Sequence, residues 1–150
     1  MFKASTVFAA LVLSTSMKVQ AAPMQCETLD QYQAMALFER WNQSLQSADA
    51  KKVAANYTPR AVLLPTVSNT PRTDLEGKID YFEHLLKKEP VGRIDSSHLI
   101  SHCNSAINTG TYTFRFNDNT TVKARYTFSY ALIDNQWLIT SHHSSAMPES

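Results

Sequence analysis

Hydrophobic residues change their period once along this chain, near residue 92. Over residues 28–48, Ala34, Leu37, Phe38, Trp41, Leu45 and Ala48 recur at helical spacing, with Gln31, Glu39, Arg40, Asn42 and Gln46 on the other sides. This predicts an amphipathic helix with Trp41 on its buried stripe. Asp49 stands where it can cap a short second helix, residues 50–57, which Thr58-Pro59 stops. Residues 61–64 (AVLL) read as a short buried strand, and residues 65–73, with two prolines plus Ser, Asn and Thr, as a surface loop. Asp74 caps a third helix running to Lys88, with Leu75, Ile79, Phe82, Leu85 and Leu86 as its apolar side and Pro90 and Gly92 closing it.

Beyond that point the period is two. Residues 93–103, 106–116, 121–133 and 136–147 read as four strands, with 117–119 and Asp134-Asn135 as hairpin turns. Successive side chains on a strand point to opposite faces, so Tyr112, Phe114 and Phe116 share one face, as do Tyr126, Phe128 and Tyr130. The other face carries Thr111, Thr113, Arg115, Lys123, Arg125, Thr127 and Ser129. Helices first and long strands afterwards predict an α+β domain in which helices cover the concave, aromatic face of a curved antiparallel sheet.

The first residues stand apart from this pattern. Lys3 precedes the apolar run from Val7 to Leu13, and Val19-Gln20-Ala21 suits a signal peptidase, so residues 1–21 read as a secretory signal and residues 22–150 as one domain. The apolar run is far shorter than the roughly 20 residues that span a bilayer. The expected location is periplasmic or secreted. Removing Lys3 and Lys18 takes the formal charge from +1 to −1, and the remaining basic residues are scattered, so no electrostatic case exists for nucleic acid or a membrane as partner. In an oxidising compartment the two cysteines, Cys26 and Cys103, are expected to form a disulfide.

Several stretches resemble a known family. Residues 42–64 (NQSLQSADAKKVAANYTPRAVLL), Pro71-Arg72-Thr73, and ARYTFSY followed by QWLITSHHSSAMPE are similar to bacterial relatives of the calcium/calmodulin-dependent protein kinase II association domain. That group sits in the NTF2-like cone-fold superfamily beside the SnoaL-like and SgcJ/EcaC groups. The kinase's closing Trp-x-Ile-x-x-x-His pattern is matched by Trp137, Ile139 and His143. The resemblance covers essentially the whole mature chain and implies an NTF2-like cone that assembles with copies of itself. Neither a kinase domain nor a calmodulin-binding basic helix is legible, so calmodulin is not an expected partner. Where the kinase hub places arginines in its pocket, an ungapped alignment puts Phe128 on one strand and no arginine on the preceding one.

A cone closed by helices leaves a cavity, and Trp41, Tyr57, Tyr126, Phe128 and His143 are the candidates for lining it. His142 and His143 point to opposite faces of one strand, so at most one enters the pocket, where it can act as acid, base or ligand contact; both are kept as catalytic candidates. No carboxylate lies inside strands 106–116, 121–133 or 136–147 to orient a Ser-His pair. His98 and His102 share a strand face, but nothing in the sequence joins them to a third ligand, so no metal and no cofactor are assigned. Arg115, Arg125 and Thr127 on the outer sheet face, with Arg72 at its edge or at the cavity mouth, are the expected homodimer interface. Two readings of function stay open: a homo-oligomeric association-type protein that binds a small organic ligand in its pocket, and a SnoaL- or SgcJ/EcaC-like enzyme using a pocket histidine on an aromatic or polyketide-like substrate.

Overall fold

The structure, a computed structural model, describes residues 26–148. The segment read as a signal peptide, residues 1–21, lies outside the described residues. Helix α1 (Gln31–Gln46) begins at Asp30, whose carboxylate accepts from the Gln33 amide while the Gln33 side chain accepts from the Asp30 N–H. This reciprocal capping satisfies two of the amides that a helix start leaves unpaired. Helix α2 (Ala50–Ala54) is capped by Asp49 as expected, but it is shorter than the sequence reading. Tyr57 opens strand β1 (Tyr57–Leu64) instead of ending the helix. The sheet wins this segment: Tyr57 pairs with Ile139, and the Ile139 amide donates to the Asn56 carbonyl at 2.9 Å. Pro59 is tolerated because β1 is an edge strand whose register shifts between Tyr57 and Val62.

Helix α3 (Leu75–Leu85) runs into a single 3₁₀ turn, Leu86–Lys88. Phe82 and Leu86 are buried as the periodicity requires, but Leu75 is 48% exposed and the fully buried residue of the first turns is Lys78. Its Nζ donates to the carbonyls of Ala61 (2.9 Å) and Pro59 (3.3 Å), both in the stretch of β1 where the register with β5 shifts. Burial pulls the Lys78 pKa down, opposed by the nearby Asp74 charge.

Strands β2 (Val91–His102), β3 (Ser105–Arg115), β4 (Thr121–Ile133) and β5 (Gln136–Ala146) complete one sheet of order β1-β5-β4-β3-β2. All neighbours are antiparallel except β1, which lies parallel to β5. The β4–β5 turn places both Asp134 and Asn135 at positive φ, 50° and 59°, which is the twist a two-residue hairpin needs. In β2 the register shifts between Ile94 and Ser96, opposite Tyr112 and Thr111 of β3; just beyond it Gly110 pairs with Ser97, and any Cβ on Gly110 would fall inside the Ser96 carbonyl.

The aromatic face is concave and helix-covered, as the alternation predicts. Tyr112, Tyr126, Phe128 and Tyr130 are at most 2% exposed, and Phe128 meets Phe38 and Trp41 of α1 at 6.4 and 5.7 Å between ring centroids. Each such edge contact is worth about 0.5–1.5 kcal/mol beyond burial itself. Asn42 of α1 straps the helix to β2, donating to the Gly92 carbonyl at 2.9 Å and accepting from its amide at 2.8 Å. Cys26 and Cys103 are bridged, tying the approach to α1 to the β2–β3 turn across 77 residues. Closing a loop of that length restricts the unfolded chain by roughly 4 kcal/mol in the chain-entropy view. Among the described residues no helix is long and apolar enough to cross a membrane.

Candidate functional site

The site is set by one extra residue in β5. From the turn outward, Ile133 pairs with Gln136, Leu132 with Trp137 and Tyr130 with Ile139; then the register shifts, so that Ser129 faces Ser141 and Phe128 faces His142. Counting straight from the turn would instead put Tyr126 opposite His143. A one-residue slip exchanges the faces of everything beyond it. His142 and Ser144 therefore point into the cone, 3% and 9% exposed, while His143 is exposed on the outer side. The assignment of His143 to the pocket is corrected on this ground.

Inside the cone these two residues join a continuous line of hydrogen bonds. The Trp41 indole N–H donates to the Tyr57 hydroxyl at 3.0 Å, and that hydroxyl lies 2.9 Å from His142 Nδ1. His142 Nε2 is 3.3 Å from the Tyr112 hydroxyl, which donates to Ser144 Oγ at 2.5 Å, and Ser144 Oγ in turn meets Thr66 Oγ1. Each hydroxyl has one proton to give, which fixes the direction. Because Tyr112 spends its proton on Ser144, it accepts from His142 Nε2–H; His142 Nδ1 is then an acceptor for Tyr57, which accepts from Trp41. The imidazole is neutral, protonated at Nε2.

Electrostatics agree with that state. Burial first, and the neighbouring His143 second, push the His142 pKa down to about 3. Its ring also stacks on Phe128 at 4.0 Å and meets Trp41 edge-on at 5.4 Å. Tyr57 and Tyr112 are held well above the ordinary phenol range by burial, so both stay protonated. With its pKa pulled down by burial and both nitrogens engaged, this imidazole holds Tyr112 and Tyr57 in place as a neutral hydrogen-bonding partner.

The polar line ends at a small cavity of about 60 Å³. His142, Tyr112, Ser144 and Thr66 form its polar end; Trp41, Leu63, Phe82, Leu85, Phe114, Phe116 and Val122 are among its apolar walls, and no Asp, Glu, Lys or Arg lines it. Between Ser144 and Thr66 either hydroxyl can be the donor. Whichever it is, one O–H remains for a guest in the cavity, beside oxygen lone pairs that can hold a water.

Of the residues singled out from sequence, Trp41 and the inner histidine reach the cavity. Tyr57 stands one hydrogen bond behind it, and Tyr126 and Phe128 pack beneath it, Tyr126 donating to the Ser96 carbonyl at 3.2 Å. Tyr112, Ser144 and Thr66 were missed. The first two carried a signal, Tyr112 by its inward parity and Ser144 by sharing a face with His142; Thr66 sits in a loop and carried none. Arg115, Arg125 and Thr127 lie on the outer sheet face, where Arg125 reaches the Ala146 carbonyl at 3.4 Å and Thr127 meets Thr109 at 3.3 Å. Arg72 is away from them beside α3, paired with Asp80 at 3.0 Å. His98 and His102 are exposed on β2, and among the described residues no three His, Cys, Asp or Glu side chains converge.

Comparison with known proteins extends this geometry. A protein of Xanthomonas campestris bearing the name of the calcium/calmodulin dependent protein kinase II association domain is 41% identical over 87% of this chain and 95% of its own, with a TM-score of 0.78. An NTF2-like protein of Pseudomonas putida matches at 18% identity and TM-score 0.67, covering 79% of this chain and 87% of its own. An iota-carbonic anhydrase from a cyanobacterium, solved with bicarbonate, matches at 16% identity and TM-score 0.74, over 87% of this chain and the whole of its own. The last two likenesses establish the fold, an NTF2-like cone. No curated protein matches. The calcium/calmodulin dependent protein kinase II association domain profile matches residues 30–148, and the chain belongs to that family.

Proposed function

We propose that the cone binds carbon dioxide and bicarbonate and interconverts them. The observation that carries this reading is the size and polarity of the cavity taken together. Some 60 Å³ admits a guest of a few heavy atoms, against the roughly 300 Å³ or more of a pocket for a drug-sized molecule. Apolar walls suit the linear, nonpolar oxide. The polar end offers a leftover hydroxyl proton and lone pairs, which suit a water and the oxyanion that forms when it attacks. The Tyr112–His142–Tyr57 line fixes Ser144 in place without adding a charge. The cyanobacterial neighbour is a carbonic anhydrase that holds bicarbonate, on the same fold. A polyketide-like substrate needs a larger space, and acid–base work by a pocket histidine needs an imidazole with a higher pKa than this one.

The same reading has the chain exported to the periplasm or beyond, where the bridged cysteines are stable, and assembled as a homodimer through the outer sheet face bearing Arg115, Arg125 and Thr127. Family membership supports assembly; fractionation and sedimentation measure both. The function is tested by stopped-flow CO2 hydration with the mature chain. Hydration above the buffer rate, abolished in Ser144→Ala combined with Thr66→Val, is the expected outcome. A wild-type rate equal to buffer overturns the reading.

A further inference from the structure

The cavity has no group that can keep a proton, and the reaction proposed for it releases one. When water oxygen bonds to the carbon, one C=O electron pair moves onto oxygen and a water proton must leave. No carboxylate or amine lines the cavity, its hydroxyls stay protonated, and His142 resists protonation through burial. The acceptor therefore lies outside.

Immediately outside is a second, more open chamber of about 420 Å³. It shares Val67, Tyr81 and Leu85 with the inner cavity, so these three side chains stand between the two. The loop after β1 runs from Thr66 on the inner side to Ser68 on the outer, and α3 turns Phe82 inward and Asp80 and His84 outward, with Lys88 of the 3₁₀ turn beside them. His84 Nδ1 is 2.8 Å from the Asp80 carbonyl, which can only accept, so Nδ1 carries the hydrogen and Nε2 presents a lone pair. The Asp80 carboxylate lies between the Arg72 guanidinium, 3.0 Å away, and His84 Nδ1, 3.8 Å away. An imidazolium formed at His84 has that carboxylate as counter-ion, with Lys88 and Arg72 as the opposing charges and Glu83 and Lys87 as exposed helix neighbours.

We propose that His84 carries the reaction's proton out: water admitted past Val67, Tyr81 and Leu85 passes it from the Ser144–Thr66 end to His84 Nε2, and a buffer base then takes it from His84. The proposal rests on the carbon dioxide reading, and the test separates the two.

The experiment compares wild type, His84→Ala and Glu83→Ala in CO2 hydration at low buffer concentration, and in 18O exchange between CO2 and water. For His84→Ala the expected result is kcat lowered about tenfold or more, kcat/KM unchanged, and kcat restored by added imidazole; Glu83→Ala behaves as wild type. Equal kcat for His84→Ala and wild type at low buffer overturns the proton route while leaving the carbon dioxide reading standing. A parallel fall of kcat and kcat/KM without imidazole rescue overturns it too, showing a structural part for His84. Absence of hydration by wild type overturns both.

Discussion

Strand β5 carries the same two residue types twice, once on each face: His142 and Ser144 inside, His143 and Ser145 outside. The inner histidine is 3% exposed, stacked on Phe128 and engaged at both nitrogens. The outer one is exposed, opposite Thr127 across the ladder. Residue type is constant across the pair, so the difference in chemistry comes from surroundings alone. Desolvation disfavours charge on His142 and leaves it a neutral donor–acceptor, while the His143 ring is exposed to solvent.

Substitutions can break that contrast, beginning with the largest effect. His142→Ala removes a packed ring and leaves the Tyr57 and Tyr112 hydroxyls without their partner, so it is expected to cost roughly 3–5 kcal/mol by denaturant unfolding and to abolish the proposed CO2 hydration. Tyr112→Phe keeps the ring and loses one hydroxyl. The Nε2–H of His142 is then unpaired and Ser144 loses its donor, predicting roughly 1–3 kcal/mol of destabilisation and about a hundredfold slower hydration.

A pH series sharpens the comparison. The folded chain keeps His142 neutral down to about 3, whereas an unfolded imidazole takes a proton near 6.5. Between those values the unfolded state binds more protons. The His142 contribution is therefore complete above pH 6.5 and declines as pH falls toward about 3, at up to about 1.4 kcal/mol per unit. His142→Gln should flatten this part of the stability profile relative to wild type, in paired urea titrations from pH 7 to 4. At the small end, His143→Ala is expected to alter the stability of the isolated subunit by no more than about 0.5 kcal/mol; a loss above 1 kcal/mol would erase the distinction between the faces.

The sequence discloses much of the frame and less of the site. Trp41 on a helical stripe and Tyr126, Phe128 and Tyr130 at period two are local patterns, and they place helix on sheet correctly. What fails to show is long-range: the parallel pairing of β1 on β5, which converts the Tyr57 segment from helix to strand, and the register shift beyond Ile139. That shift depends on how β4 and β5 twist together and leaves no mark at the turn from which parity is counted. Lys78 is hidden for the same reason, since its burial depends on a hydrogen bond to a carbonyl of an irregular edge strand 17 residues upstream. Thr66 joins the site through loop placement alone.

The most direct test is 15N NMR of His142 in labelled protein between pH 7 and pH 4.5. The account predicts a single neutral tautomer, protonated at Nε2, across the whole range, with the proton lost from Nδ1. An Nδ1–H tautomer, or an imidazolium appearing by pH 6, would contradict the direction of the hydrogen-bond line and the cavity chemistry built on it.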